Sequence, residues 1–506
     1  MSMKTKKEFE RVVPQTVGIS VKAIMKLLDQ LEGEYTEIHS IMVMRHDKIA
    51  LEGWWAPYSP DIKHMMMSAS KTFSGTAIGI ACHEGILSLE DRLVDLLPQY
   101  IPDPCPENLK KVTVRDLMTM SSGSDREVPV DESWPQNYFE QTNFAYEPGT
   151  SFLYNNAPAT LLAKILAEKT GQSLPGFLKE KLFEKIGIDP ENITWFTAPD
   201  GTSFASGGLH CKSEDLLRLM RLYLHHGKWD GEEILSEQFV DFATSPQVDS
   251  SNIFGYAKLD LFSDNVFGYG GMMWISHDDL GYRAEGAYGQ FGIVVPKLDL
   301  IIAITQSSTE SPVSQTTLDQ VWEFVETIKD EPVQEEETMI RALNDRLARL
   351  CVKKQPKGCA DPIDIPCHEF MTEGKGVTPA VLFYDPIRLR TEAQNRKGMT
   401  SFRFEKKNGL LTLDALINGH RYPIPVFTNG LYVPMELDEM IYTKDVLVSG
   451  YWSTTNELTV RFRWIETGFT KELRFLFEEN ECIVSEQMVT GDDPDLKTKI
   501  VYQEEK

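Results

Sequence analysis

Ser68 and Lys71 stand three residues apart in the segment HMMMSASKTFSG, which begins at His64. In a helix, positions i and i+3 lie on the same face, so both side chains can point into one space while Ser70 points elsewhere. A serine hydroxyl is a weak nucleophile until a base removes its proton, and a lysine can act as that base if burial lowers its pKa toward neutrality. Backbone N–H groups at a helix start would also favour a developing oxyanion. The pair is therefore a candidate nucleophile and base.

An ordinary helix start is the alternative interpretation of this pair. A Ser-x-x-Lys spacing arises by chance about once or twice in a chain of this length, and Ser68 could cap the helix while Lys71 lies in solvent. The following segment, FSGTAIGIACHEG, consists mainly of small and apolar residues, which predicts a buried helix. Burying a lysine costs free energy unless its charge is compensated, so the sequence favours a catalytic role for Lys71.

Tyr154 and Asn156 form a second candidate pair, on a loop directly before a strong helical pattern. Their spacing allows a phenol and a carboxamide to face the same cleft. A tyrosine near a lysine cation ionises more easily, so we expect that Tyr154 can accept a proton while Lys71 holds it in the ionised state. Taken alone, the pair is more typical of a turn with a packing aromatic side chain.

The third candidate segment is AEGAYGQ, Ala284 to Gln290, between two strand patterns. Its glycines are typical of a hairpin turn, but they also let a substrate approach the strand backbone closely. A backbone N–H of this segment could complete an oxyanion hole with the N–H of Ser68. The predicted oxyanion and substrate-binding residues are Ser68, Glu285, Gly286, Ala287, Tyr288 and Gln290.

The elements that must position these residues follow from periodicity. Ser20 can cap an amphipathic helix, and IHSIMVMRHDKIALEGWW predicts a hairpin. Helical patterns dominate from about 68 to 245, strand patterns return after about 252, and a helix is predicted over 312–329. This order predicts an α/β (α+β) domain with one antiparallel sheet built from both ends of the segment and an inserted helical lobe. A cleft between two lobes is a common binding site.

A second domain begins where the pattern changes again. The acidic run DEPVQEEE marks a boundary, and a short amphipathic helix follows it. Beyond it, three Asn-Gly pairs between alternating apolar runs predict tight hairpins: Asn408-Gly409, Asn418-Gly419 and Asn429-Gly430. We therefore expect a first domain over 1–335 that contains the candidate residues, a linker with a short helix over 336–374, and an all-β domain over 375–506. The simplest role for the all-β domain is packing or dimerisation, and the alternative is gating of the cleft.

Composition excludes several kinds of partner. The 506-residue chain has a formal net charge of −25, which repels nucleic acid and anionic membranes. The first twenty residues contain lysines but no apolar segment of the kind that directs export, so we expect a cytoplasmic protein. Seven cysteines without paired spacing are typical of reduced thiols. The spacing of Cys351, Cys359 and Cys367 is too wide for a typical zinc site, so no metal and no cofactor are predicted. The oligomeric state stays open.

These motifs together resemble the serine β-lactamase-related proteins, which comprise class C β-lactamases, DD-peptidases of that type and their esterase and amidase relatives. The resemblance covers roughly residues 35–330 and rests on SASKTF, on YNN at Tyr154 and on the third segment. It implies a five-stranded antiparallel sheet with flanking helices and a helical lobe. It also implies Ser68 as the acylated nucleophile, Lys71 and Tyr154 as a shared general base, Asn156 as the orienting residue, and the N–H groups of Ser68 and Ala287 as oxyanion donors.

The third segment departs from that family pattern. Lactamases and DD-peptidases typically have Lys-Thr-Gly or a His-headed version there, which helps to bind a substrate carboxylate, whereas this chain has Ala284-Glu285-Gly286. Its form resembles the branch with 6-aminohexanoate-dimer hydrolases and esterases. Glu285 could line the site or point away, since alternate strand residues face opposite sides.

We therefore expect a cytoplasmic serine hydrolase that cleaves a small ester or amide through an acyl-serine, or transfers the acyl group to another acceptor. The alternatives are a β-lactamase or DD-carboxypeptidase and, in a different class, an inactive scaffold that only binds ligands.

Overall fold

The computed structural model describes residues 8–504 except 34–35, 132, 252–262, 278–279, 309–313, 354–357, 359–361, 382–395, 408–409, 441–442 and 491–497. The described helices are α1 Val21–Leu31, α2 Ser70–His83, α3 Leu93–Leu96, α4 Val114–Met118, α5 Gln136–Gln141, α6 Asn156–Thr170, α7 Leu174–Leu178, α8 Glu184–Ile186, α9 Ser213–Leu224, α10 Glu237–Thr244, α11 Gln315–Glu326 and α12 Glu337–Leu347.

The described strands are β1 Glu10–Arg11, β2 Thr36–Arg45, β3 Lys48–Trp54, β4 His64–Met65, β5 Thr194–Trp195, β6 Leu209–Cys211, β7 Lys228–Trp229, β8 Glu232–Glu233, β9 Trp274–Ile275, β10 Tyr282–Gly286, β11 Gln290–Val295, β12 Leu300–Ser308, β13 Phe370–Met371, β14 Met399–Lys407, β15 Leu410–Ile417, β16 His420–Val426, β17 Val433–Glu436, β18 Asp445–Trp452, β19 Glu457–Trp464, β20 Phe469–Phe477, β21 Glu481–Thr490 and β22 Thr498–Glu504.

The main sheet of the first part of the chain has the order β1-β3-β2-β12-β11-β10-β9 among the described residues. Its five longer strands come from both ends of the segment, as the sequence predicts, and two-residue strands extend it at each edge. The pairs β2–β3, β10–β11 and β11–β12 are antiparallel, while β1 runs parallel to β3. The helical patterns between β3 and β9 form the inserted block.

Capping and periodicity explain the first helix. The Ser20 hydroxyl accepts a hydrogen bond from the Ala23 N–H at 3.1 Å, which satisfies one of the free donors at the start of α1. The apolar positions at helical spacing, among them Ile24, Leu27 and Leu28, are fully buried. That apolar face packs α1 against α11 and β2, and α9 packs against β2 and β11, so helices cover the central strands.

The second part of the chain is a ten-stranded sheet with the order β16-β15-β14-β13-β22-β21-β20-β19-β18-β17 in the described residues. Leu458, Val460, Phe462 and Trp464 alternate along β19 and are all fully buried. The polar residues between them are buried as well, so both faces of this strand are covered and not only the apolar one that the alternating pattern predicts: Thr459, Arg461 and Arg463. The Gly450 N–H, on β18, donates to the carbonyl of Phe427, which directly follows β16, at 3.0 Å. The two ends of the sheet therefore meet, and the domain is an all-β near-barrel.

The Asn-Gly pairs differ in outcome. Asn418 and Gly419 have φ of 49° and 87° and join β15 to β16 in a two-residue hairpin, as predicted. The pair at 429–430 lies in a turn between β16 and β17, which stand at opposite ends of the sheet, so the expected tight hairpin is wrong there. The pair at 408–409 lies outside the described residues.

The chain divides into two compact units near residue 350. The helix that the sequence assigns to a linker, α12, groups with the first unit, where Arg346 hydrogen-bonds the Glu32 carboxylate at 2.5 Å and α12 packs on α1. Within the described part of the chain, no helix has the length and apolar character that crossing a bilayer requires.

Candidate active site

Ser68 lies in a single 3₁₀ turn, Met67–Ala69, between β4 and α2. Met67 has a φ of 49°, a left-handed conformation that costs a non-glycine residue about 1 kcal/mol or more. The Ser70 hydroxyl donates to the Met67 carbonyl at 2.6 Å and accepts from the Leu209 N–H at 3.1 Å, so it fixes this turn. Ser70 is completely buried and Ser68 is half-buried. Ser70 therefore supports the turn, and Ser68 is the more accessible of the two serines.

Lys71 is one helical turn beyond Ser68 and reaches its hydroxyl. The Lys71 Nζ lies 3.0 Å from the Ser68 Oγ, and it donates further hydrogen bonds to the Asn156 Oδ1 at 2.9 Å and the Ser206 carbonyl at 2.8 Å. Its side chain is 1% exposed. Three oxygen acceptors thus surround one buried amine, and one of them is the candidate nucleophile.

Burial changes the proton affinity of this amine. Loss of hydration lowers the pKa of Lys71 from 10.5 to about 7, although the negative charge of Glu127 acts in the opposite direction. A lysine with a pKa near neutrality is partly unprotonated at physiological pH. The Lys71 amine can therefore accept a proton from Ser68, as the catalytic interpretation of the sequence requires.

Tyr154 contacts both Ser68 and Lys71. Its hydroxyl shares a hydrogen bond with Ser68, its ring centre lies 4.7 Å from the Lys71 Nζ, and Trp274 stacks on it at 5.3 Å. Burial raises the pKa of Tyr154 far above its ordinary value, and the charges of Glu285 and Glu127 add to that shift. The direction is opposite to the expectation that Tyr154 ionises easily, because burial disfavours the charged form of the phenol.

Asn156 is held from two sides at the start of α6. Its Oδ1 accepts from Lys71, while its Nδ2 donates to the Glu127 Oε1 at 3.0 Å. Asn155 caps the helix through a hydrogen bond from the Ala157 N–H at 3.0 Å, so the Asn156 side chain is available for the site. Sequence reasoning predicted Asn156 but missed Glu127, whose role depends on a contact across 29 residues.

Gly286 brings strand β10 against the nucleophile turn. A Cβ atom at this position would lie 2.2 Å from the Met66 carbonyl oxygen, closer than non-bonded atoms can approach. Any side chain at 286 would push the strand away from the turn that carries Ser68. Ala287, the predicted second oxyanion donor, comes directly after β10 and is half-buried, so the structure brings this predicted residue beside the Ser68 turn.

Tyr288 and Gln290 support the turn after β10. Both side chains are 1% exposed, so they do not line an open surface as the predicted substrate-binding segment would. The Gln290 Nε2 donates to the Ala287 carbonyl at 3.2 Å and the Gln306 carbonyl at 2.7 Å. Gln290 therefore ties the Ala287 turn to β12, and its effect on a substrate would be indirect.

Glu285 is held in place by its neighbours. Its carboxylate accepts from the Arg283 Nε at 2.8 Å and the Asn265 Nδ2 at 3.0 Å, and only 8% of its side chain is exposed. It is still close enough to affect Tyr154 electrostatically. The buried Arg283 therefore offsets the charge of Glu285, and the link between Glu285 and the candidate site is electrostatic, through Tyr154.

No group of three or more His, Cys, Asp or Glu side chains could hold a metal ion in the part of the chain that the structure describes. Of the three spaced cysteines, Cys351 and Cys367 are exposed free thiols and Cys359 lies outside the described residues.

The profile of the Beta-lactamase family matches residues 28–325, more than half of the chain. The chain belongs to the β-lactamase family. The family resemblance and the fold class expected from the sequence, with a C-terminal all-β domain, are thereby confirmed.

The proteins to which the chain is similar are named for different activities. The chain is 26% identical over 248 residues to the 6-aminohexanoate-dimer hydrolase of Paenarthrobacter ureafaciens, covering 45% of this chain and 63% of that protein. It is 27% identical over 131 residues to the Beta-lactamase of Yersinia enterocolitica, covering 25% of this chain and 33% of that protein. The structure of the octameric penicillin-binding protein homologue from Pyrococcus abyssi aligns with a TM-score of 0.47 and 16% identity, covering 95% of this chain and 99% of that one.

The chain therefore belongs to a family of serine hydrolases with the β-lactamase fold. The local matches cover less than two thirds of either curated relative named above. Substrate and activity must therefore be inferred from the site itself.

Proposed function

We propose that the protein is a serine hydrolase that cleaves a small ester or amide through an acyl intermediate on Ser68. The observation that carries this proposal is the 3.0 Å contact between the Ser68 Oγ and the Lys71 Nζ. Burial lowers the pKa of that amine to about 7, so it can act as a base near neutral pH. An inactive scaffold would have no use for a buried lysine placed this way.

The proposed reaction has two steps. The neutral Lys71 amine takes the Ser68 proton as the serine oxygen bonds to the substrate carbonyl carbon, and the N–H groups of Ser68 and Ala287 stabilise the oxyanion. When the bond to the alkoxide or amine leaving group breaks, Tyr154 gives that group its hydroxyl proton and regains one from the Lys71 ammonium. Water then attacks the acyl-serine and releases the acid, while a different acceptor hydroxyl would give acyl transfer.

The third segment favours small esters and amides over β-lactams and D-Ala-D-Ala termini. Ala284 is buried and carries no charge, and Glu285 is occupied by Arg283 and Asn265. A substrate carboxylate would therefore find no cation at the position where related enzymes offer one. Separately, the similarity to a 6-aminohexanoate-dimer hydrolase supports an amide as one candidate substrate class.

The compartment we propose is the cytoplasm. The six described cysteines are free thiols, which is typical of a reducing environment. The strongly negative net charge of −25 also suits a protein that acts away from anionic surfaces.

A fluorophosphonate probe and short-chain p-nitrophenyl esters test this proposal. We expect a burst of p-nitrophenol and a covalent label on the peptide that contains Ser68, both absent in Ser68→Ala. Ser70→Ala is the matched control, because it removes a neighbouring hydroxyl that hydrogen-bonds the Met67 carbonyl. Any covalent label on this variant must map to Ser68. Equal activity of Ser68→Ala and the parent enzyme would refute the proposal. Parallel assays with a chromogenic cephalosporin and a D-Ala-D-Ala peptide separate the lactamase and carboxypeptidase alternatives.

A further inference from the structure

Glu127 is a half-buried carboxylate directly behind the residues of the proposed mechanism. Its Oε1 accepts a hydrogen bond from the Asn156 Nδ2 at 3.0 Å. The Asn156 Oδ1 in turn accepts from the Lys71 Nζ, which lies against the Ser68 hydroxyl. A continuous chain of hydrogen bonds therefore runs from Glu127 through Asn156 and Lys71 to the nucleophile.

We propose that Glu127 is a positioning residue that orients the Asn156 carboxamide toward Lys71 and places a negative charge behind the Lys71 ammonium group. This inference rests on the proposed serine hydrolase function and deepens it. A carboxylate can only accept hydrogen bonds, so it fixes which end of the Asn156 amide faces it. With the NH₂ group turned to Glu127, the amide oxygen must face Lys71.

The charge of Glu127 also matters, because it acts on a buried amine. Desolvation lowers the pKa of Lys71, and Glu127 opposes that shift. Desolvation likewise raises the pKa of Glu127, and Lys71 opposes it. Among the described residues, the Glu285 carboxylate also acts on this site, but it is paired with Arg283 and its charge acts on Tyr154. Burial is the larger influence on the pKa of Lys71, and Glu127 is the carboxylate whose charge opposes the loss of the Lys71 proton.

Two substitutions separate the orienting effect from the charge. Glu127→Gln keeps an oxygen that can accept from Asn156 but removes the negative charge, whereas Glu127→Ala removes both. Glu90→Gln is the matched control, since it removes one negative charge from an exposed carboxylate that pairs with Arg115. Urea unfolding of all variants verifies that each is folded at the assay temperature.

The test is the pH dependence of kcat/KM for a p-nitrophenyl ester. Removing the charge leaves desolvation of Lys71 unopposed, so the pH at which kcat/KM rises should be lower in Glu127→Gln, by about one unit. The plateau of kcat/KM at high pH should stay within a few-fold of the parent value. Glu127→Ala should show the same shift and a plateau lowered about tenfold or more, because the Asn156 amide is free to turn. The Glu90→Gln profile should coincide with that of the parent.

Two results would overturn the inference. One is a Glu127→Gln profile that coincides with the parent profile, and the other is a Glu127→Ala plateau equal to that of Glu127→Gln. Either result leaves the proposed function intact as long as Ser68→Ala is inactive. If Ser68→Ala retains activity, the proposed function itself fails, whatever the Glu127 variants show.

Discussion

The Lys71 amine nitrogen lies 3.0 Å from the Ser68 hydroxyl oxygen, although the lysine is 1% exposed. A cation in such surroundings is costly, since burial removes its hydration. The same burial makes the amine a usable base near neutral pH, because it lowers the pKa of Lys71 to about 7. The contact therefore links a loss of stability to a gain in reactivity, and both effects can be measured.

Activity should rise with pH through the pKa of Lys71. The amine must be neutral to accept the Ser68 proton, so kcat/KM for a p-nitrophenyl ester should increase between about pH 6 and 8 and then level off, with a midpoint near the value of about 7. Lys71→Arg keeps the positive charge but cannot lose its proton, so its activity should fall about 10²–10⁴-fold at every pH. A flat profile for the parent enzyme, or an active Lys71→Arg variant, would contradict Lys71 as the base.

Lys71→Met should stabilise the protein, and the gain should depend on pH. The pKa of Lys71 is lower in the folded protein than its ordinary value of 10.5, so between about pH 7 and 10.5 the unfolded chain binds the extra proton and the stability of the parent rises with pH. Below pH 7 both states are protonated and the full cost of burying the charge remains. Methionine carries no charge to bury. The free energy of unfolding of Lys71→Met should therefore exceed that of the parent by a few kcal/mol below pH 7, and this difference should shrink toward pH 10.

Urea titrations at pH 6.5 and 9.5 measure this difference. The mutant should be inactive at both values, which distinguishes lost chemistry from lost structure. A stability difference that stays constant between the two pH values would show that the pKa of Lys71 is not lowered by folding.

Gly286→Ala should impair catalysis more than stability. A Cβ atom at 286 would collide with the Met66 carbonyl oxygen, so β10 and the Ser68 turn must move apart. A displacement of about 1 Å between reacting groups can reduce rates about 10²-fold, and we expect a loss of that order in kcat/KM. Gly374→Ala is the control, because its new methyl group would meet open space. Full activity of Gly286→Ala would show that the close approach of the strand is not needed.

Much of this architecture could be predicted because it depends on local patterns. The helix that begins after Ser20 follows from a capping side chain and apolar spacing, and the turn at Asn418 and Gly419 follows from residues that accept positive φ. The placement of Ser68 and Lys71 on the same side of the chain follows from their three-residue spacing. These features need no knowledge of the rest of the fold.

The parts that sequence reasoning missed depend on contacts between distant segments. Glu127 lies in an irregular loop, and nothing in its local sequence indicates a bond to Asn156. Ser206 contributes a backbone carbonyl, which any residue could provide. The upward shift in the pKa of Tyr154 depends on how deeply the surrounding side chains bury it, and a motif does not specify burial. Tertiary packing, and not residue type, decides each of these properties.

The ion pair between Arg283 and Glu285 is predicted to be structural. Glu285→Ala would leave a fully buried guanidinium without its carboxylate partner, and breaking a buried pair in this way typically costs about 3–5 kcal/mol. The double variant Arg283→Met/Glu285→Leu removes both charges and should recover at least half of that loss in urea unfolding. If Glu285 instead served mainly to bind substrate, Glu285→Ala would raise KM while leaving the free energy of unfolding unchanged. A large destabilisation, relieved in the double variant, is the outcome that the contacts of Glu285 with Arg283 and Asn265 require.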